Sequence, residues 1–175
     1  METKGLVHLY WGDGKGKTTA AVGLSLRALG QKLPVVFLQF LKDGLSGELQ
    51  PLHQLGAKVF SGKPGMKFVF QMTPEEKASL LEEQDQMLRQ ALELVSQNDR
   101  GVLVLDEACA ALQTETVSES LLRRAVSDRP TGWEIVLTGR DPALWMREAA
   151  DYSTEMKCIS HPFEEGIPAR KGIEY

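Results

Sequence analysis

The sequence predicts an α/β domain with a mostly parallel central sheet, and three observations carry that expectation. Short apolar runs at residues 5–11, 34–41, 102–105 and 133–137 alternate with helical patterns, the signature of strands joined by crossover helices. The first run leads straight into GDGKGKTT and then into a helical pattern, so a glycine-rich turn sits between strand and helix. The length of 175 residues suits one domain, residues 1–175. A chain of this size buries roughly 70% of the surface its unfolded form exposes, enough for a full core.

Each element has its own signal. Residues 5–11 are apolar, partly aromatic and closed by glycines, which reads as a buried strand. In the helix that follows, Ala21, Leu24 and Ala28 recur at helical spacing, and Gly30 is placed to cap it. The run 34–41 begins on Pro34, which lacks an N–H and is tolerated at a strand's first position. Residues 42–65 are glycine-rich and read as irregular, with a short strand at 57–60. Thr73, Pro74 and Glu76 form the opening of a long helix: a cap, a first-turn proline and a capping box. Its apolar stripe is Leu81, Leu88, Ala91, Leu92 and Val95, and it stops near 98–101. The continuous apolar run VLVL is typical of a strand covered on both faces. A helix at 118–126, a strand at 133–137, a helix at 143–150 and a strand at 152–157 complete the order. The tail 161–175, rich in proline, glycine and charge, is expected to wrap the surface.

Composition narrows the function classes. The net charge of −4 provides no global basic field for nucleic acid or an anionic membrane surface. The opening residues hold no signal-peptide core, and no apolar run nears the ~20 residues of a membrane span. Two cysteines without a CxxC pair, and three scattered histidines, argue against a disulfide framework or a zinc site. A reduced, cytoplasmic protein is the expectation.

The informative segment is residues 12–19. A phosphate loop usually reads G-x-x-x-x-G-K-[ST]. Gly16, Lys17 and Thr18 match its end, but the position of the leading glycine holds Trp11, and the first glycine comes one residue late at Gly12. Gly12, Gly14 and Gly16 let the backbone turn and present N–H groups to phosphate oxygens. The helix starts at once, so its unpaired N–H groups and positive dipole end face the anion. Asp13 and Thr19 lie in the same turn, Lys17 and Lys15 supply charge, and Thr18 offers a hydroxyl to a divalent cation. ATP is the expected ligand.

Asp106 and Glu107 end the VLVL strand, where phosphate-loop proteins hold Mg²⁺ directly or through water. Residue types alone do not separate the two. Cys109 reads as a small buried thiol with no base beside it, and His161 as a loop histidine. Arg27, on the first helix, either reaches phosphate or faces water. Phe68 and Phe70, read from residue type alone, are core strand residues.

Taken together, GDGKGKTTAAVGLSLRALG, VVFLQFLK, VLVLDE and the ending HPFEEGIPARKGIEY resemble the corrinoid adenosyltransferases with a RecA-like phosphate-loop fold. The resemblance runs over nearly the whole chain. It implies a three-layer fold and transfer of the 5′-deoxyadenosyl group of ATP to the Co(I) centre of a corrinoid, with triphosphate leaving intact. It further implies ATP held in an orientation reversed from that of common phosphate-loop enzymes, with residues 12–18 on the phosphates. Thr18 and Glu107 are the implied contacts to Mg²⁺ or Mn²⁺, and Lys17, Thr18 and Glu107 the catalytic set. Phe68 and Phe70 match an aromatic pair that faces the corrin and crowds out the lower axial ligand of cobalt, which eases reduction of Co(II). The second aromatic is Trp in the relative compared. A homodimer, and an electron-donating flavoprotein as a partner, are also implied. The loop begins at Gly12, whereas some relatives carry a longer leading segment, so the cover over the corrinoid is expected to be shorter, absent or supplied by another subunit.

Two other readings remain open on sequence. A phosphate-loop kinase for a nucleoside or small molecule would need an arginine lid, which Arg123, Arg124, Arg129 and Arg140 offer. A noncatalytic ATP-dependent switch on DNA would need a basic, aromatic-lined face, which the sequence does not display.

Overall fold

The computed structural model describes residues 4–174, so the first three residues of the expected domain and Tyr175 of the tail lie outside the described residues. In chain order it contains β1 (Val7–Trp11), α1 (Lys17–Gly30), β2 (Val35–Gln39), α2 (Leu49–Gln54), β3 (Lys58–Phe60) and α3 (Pro74–Ser96). β4 (Arg100–Asp106), α4 (Ala108–Gln113), α5 (Glu119–Ser127), β5 (Gly132–Gly139), α6 (Leu144–Ala149) and β6 (Tyr152–Glu155) follow. The six strands make one sheet in the order β3-β2-β4-β5-β1-β6, with every pairing parallel.

Alternation along the central strands builds three layers. Val35, Phe37, Val102, Val104 and Val136 pack with Ala21 and Ala28 of α1 and Leu49 and Leu52 of α2. Their neighbours Val36, Leu38, Leu103, Leu105, Ile135 and Leu137 turn to the other face and pack with residues of α3, α4, α5 and α6. Buried on both faces, β2 and β4 therefore need the uninterrupted apolar runs seen in the sequence. The α/β class with helices on both sides of a parallel sheet is as expected.

Three local expectations are corrected. The segment 42–65 is not wholly irregular, because α2 lies within it; at six residues it is too short to display helical periodicity. Gly30 does not cap α1 but is its last residue. The turn closes beyond it, with Lys32 at φ 59° and the Leu33 N–H donating to the Ala28 carbonyl at 3.0 Å. On α3 the capping box of Thr73 and Glu76 forms as read, whereas the buried stripe is Leu80, Gln84, Asp85, Leu88, Ala91 and Val95. Leu81 and Leu92 sit only half-buried at its margin. The stripe admits Gln84 and Asp85 because each is satisfied locally: Gln84 binds the Leu41 N–H and the Thr116 carbonyl, and Asp85 accepts from the Ser118 N–H at 2.8 Å.

Leu88 is fully buried at the centre of the α3 face. Leu88→Ala should lower the free energy of unfolding by about 2–5 kcal/mol, since the cavity adds to the lost transfer energy. Urea titration followed by circular dichroism reads this directly.

Candidate functional site

Parallel strands all point their carboxyl ends the same way, so the loops leaving β1, β2, β4 and β5 gather at one edge of the sheet. The phosphate loop leaves β1 there. Gly12 has φ 110° and Gly16 φ 118°, left-handed values that disfavour any side chain. The chain leaving β6 braces the loop. The Gly14 N–H donates to the Met156 carbonyl at 2.8 Å, and the Met156 N–H donates to Trp11 at 2.7 Å. A Cβ on Gly12 or Gly14 would collide with the backbone of Met156 or Lys157. These two glycines thus answer to a crossing chain. No side chain caps α1, and its first N–H groups stay available to an anion.

Thr18, in the first turn of α1, donates its hydroxyl to Asp106 Oδ1 at 2.8 Å. Asp106 ends β4, is fully buried, and also accepts from Thr138 Oγ1 at 2.7 Å and from Gln39 Nε2 at 3.2 Å. Burial pushes its carboxyl above the usual range, against three hydrogen bonds that favour the anion. Glu107 follows at φ 59°, a strained left-handed conformation, with its N–H donating to Thr138 Oγ1 at 2.9 Å. Its carboxyl is raised by burial and then by the Asp106 charge. The question the residue types left open has a geometric answer for the Thr18 hydroxyl, which engages Asp106 and not Glu107. Thr18 Oγ1, Asp106 and Glu107 make an all-oxygen donor set, which suits a hard divalent cation such as Mg²⁺.

Lys17 folds back on the loop and donates to the Gly14 carbonyl at 2.6 Å. Half-burial lowers its pKa, opposed by the attraction of Glu107. Asp13 is exposed and accepts from the Cys158 N–H at 3.0 Å, which holds its carboxyl below the ordinary value. Lys15 and Thr19 are exposed at the mouth. Arg27 is not brought to the loop: it is exposed in the last turn of α1, roughly 15 Å along the axis from Lys17.

Phe68 and Phe70 are not core strand residues. They flank and enter a single 3₁₀ turn at Val69–Gln71, are 70% and 82% exposed, and stack on each other at 5.5 Å. A cavity of about 900 Å³ is lined by Phe68, Leu45 and Met66 together with Lys42, Ser46 and Gly47. Lys42, Ser46 and Gly47 also line a cavity of about 330 Å³ that holds Thr18, Thr19 and Gln39. The tail runs exposed over the surface as expected, and Ile173 and Glu174 line this smaller cavity together with Thr18 and Thr19. Arg170 and Glu174 pair with each other at 2.9 Å.

Of the arginines available for a kinase lid, three have other commitments. Arg123 pairs with Glu119 and stacks on Trp145, Arg124 pairs with Asp128, and Arg129 donates to the carbonyls of Gly5, Val126 and Trp133. Arg140 alone of the four lies near Lys17 and Glu107.

Cys109 is buried, its thiol pushed up to about 12 first by desolvation and then by Glu107. A thiol reagent at pH 8 should label Cys158, which is half-exposed, and leave Cys109 unmodified until denaturant is added. Mass spectrometry of the labelled peptides checks this.

Sequence reasoning passed over Gln39, Lys42 and Thr138. Two of them had a visible signal: Gln39 is the single polar residue within VVFLQF, and Thr138 follows the apolar IVL. A polar residue at the carboxyl end of a buried parallel strand sits where ligands bind.

The chain is 31% identical to a corrinoid adenosyltransferase of Pseudomonas aeruginosa, over 99% of this chain and 85% of that protein. It is 29% identical to one of Sinorhizobium sp, over 99% of this chain and 82% of that protein. The Escherichia coli corrinoid adenosyltransferase is 27% identical, over 100% and 88%. Residues 3–175 match the family described as ATP:corrinoid adenosyltransferase BtuR/CobO/CobP, and the chain belongs to that family.

Proposed function

We propose that this chain, as a single catalytic domain, transfers the 5′-deoxyadenosyl group of ATP to the Co(I) centre of a corrinoid. The observation that carries the reading is the pair of cavities sharing Lys42, Ser46 and Gly47. One adjoins the phosphate loop, and the other is walled by an exposed aromatic. Two substrates seated there would meet across a single loop.

In the reaction the Co(I) electron pair attacks C5′ of ATP and becomes the Co–C bond, while the C5′–O5′ bond breaks and its own bonding pair departs on the triphosphate oxygen. Co(I) is itself the nucleophile, so the chain needs no general base. Its task is to align two reactants and to stabilise the charge that develops on the leaving triphosphate. The amides of residues 12–18 cradle that anion, and Lys17 swings from Gly14 to meet it. Lys15 and Arg140 add positive charge around it. Thr18 with Asp106 and Glu107 would hold Mg²⁺ or Mn²⁺, which would supply further positive charge to the phosphates. Phe68 and Phe70 would lie against the corrin, and their exposure in a stacked pair supports that contact.

The same proposal takes a homodimer as the working form, the cytoplasm as the location and an electron-donating flavoprotein as the source of Co(I). Among the described residues, no helix is long and apolar enough to cross a membrane. A kinase reading finds no support in the family, and three of its four lid arginines are committed elsewhere.

The test is to mix the protein with ATP, Mg²⁺ and chemically reduced cob(I)alamin, follow the cobalamin spectrum and identify the phosphate product. Light-sensitive adenosylcobalamin with stoichiometric triphosphate is expected. ADP as the product, or ATP binding without adenosylation of complete and incomplete corrinoids, would overturn the proposal.

A further inference from the structure

Gln39 ends β2 directly beside Asp106, its register partner on β4. It is buried, at 1% exposure. Its amide nitrogen donates to two carboxylates at once, Glu48 Oε1 at 2.8 Å and Asp106 Oδ2 at 3.2 Å. Both acceptors lack protons when ionised, so only the NH₂ end of the amide can face them, and this settles which way the side chain points. The amide oxygen is then left buried without a hydrogen-bond partner among the described residues. An unsatisfied buried oxygen is costly and uncommon, and the fold tolerates it here to keep the NH₂ on the carboxylates.

The two carboxylates belong to different parts of the site. Asp106 is bound to Thr18 of the phosphate loop. Glu48 is the residue from which α2 starts, at the end of the loop 42–47 that both cavities share. Gln39 therefore ties the acidic strand end to the loop between the two cavities.

We infer that Gln39 is a positioning residue for the cation site: it holds Asp106 in place for the metal on ATP and locks the 42–48 loop to that carboxylate through Glu48. The inference rests on the reading of Thr18, Asp106 and Glu107 as the cation site. Residues that orient a metal-binding carboxylate typically change metal affinity by about 10- to 100-fold when lost. A merely structural glutamine would change the melting temperature and leave metal affinity alone.

The experiment compares wild type with Gln39→Met, which keeps the length and removes both amide functions. Mn²⁺ binding in the presence of ATP is read by electron paramagnetic resonance, and ATP binding in EDTA by calorimetry. Expected is an increase of about 10-fold or more in the Mn²⁺ dissociation constant, with metal-free ATP affinity unchanged. An unchanged Mn²⁺ constant, or an equal loss of metal-free ATP affinity, overturns the inference. Wild type that binds Mn²⁺ no better with ATP than without it overturns the underlying cation-site reading, and the inference with it. Should Gln39→Met fail to fold, Glu48→Ala carries the test from a half-buried position. It frees one end of the clamp, and a shift in the same direction, smaller than that of Gln39→Met, is expected. No shift there overturns the inference.

Discussion

Lys17→Ala should lower kcat/KM for adenosyl transfer by about 10²–10³-fold, the range seen when one preorganised charge-stabilising donor is lost. The ammonium group sits at the loop mouth, half-buried and, among the described residues, bonded only to the Gly14 carbonyl, so little of the fold depends on it. Losing that charge-assisted bond costs about 1–3 kcal/mol, which a thermal melt would register as a shift. Steady-state kinetics with ATP and reduced cobalamin separates the two effects. The loss should fall mainly on kcat, because the charge that Lys17 meets grows as the triphosphate leaves. Normal turnover by a folded variant would remove Lys17 from the mechanism.

Asp106→Asn should have a comparable effect on activity for a different reason. The substitution keeps the shape but removes the charge at the point where Thr18, Thr138 and Gln39 converge. An asparagine oxygen can still accept from both threonines, but its NH₂ then confronts the NH₂ of Gln39, and one of the two amides must turn. A fall in rate of about 100-fold is expected, together with a raised metal requirement in a Mg²⁺ titration. Stability should move the other way. Burial raises the Asp106 pKa, so in the interval above its unfolded value the folded protein retains a proton that the unfolded chain has released. The stabilising contribution of this group is thus complete below the unfolded pKa and is lost as pH rises through the folded one. The asparagine variant has no such slope. Denaturant titrations across the acid range should show it equal to or more stable than wild type at the upper end.

Much of this architecture was legible because its causes are local. Uninterrupted apolar runs announce strands covered on both faces, and the capping box of Thr73 and Glu76 is written in four consecutive residues. The unit of β1, glycine-rich turn and α1 was readable for the same reason, since strand, glycines, lysine and helix are contiguous. What escaped depends on contacts between distant segments. Phe68 and Phe70 have the composition of a strand, and only the missing neighbours on either side expose them. Gly30 lies where a cap is expected, but Lys32 takes the left-handed position because the chain must turn two residues later into β2. The choice of Asp106 over Glu107 as the partner of Thr18 turns on which adjacent carboxylate faces the sheet edge, and two neighbouring letters carry no sign of that. Arg27 had a plausible residue type and the wrong distance.

β6 is an edge strand whose four side chains are all exposed, yet the chain leaving it braces Gly12 and Gly14. The shape of the nucleotide loop therefore rests on the least protected member of the sheet. Edge strands open more readily than central ones, so the backbone amides of β6 and of Met156 are the place to see the loop breathe by hydrogen exchange. A ligand on the loop closes that opening from the far side. The outermost strand then becomes a reporter of an event in which none of its own side chains takes part.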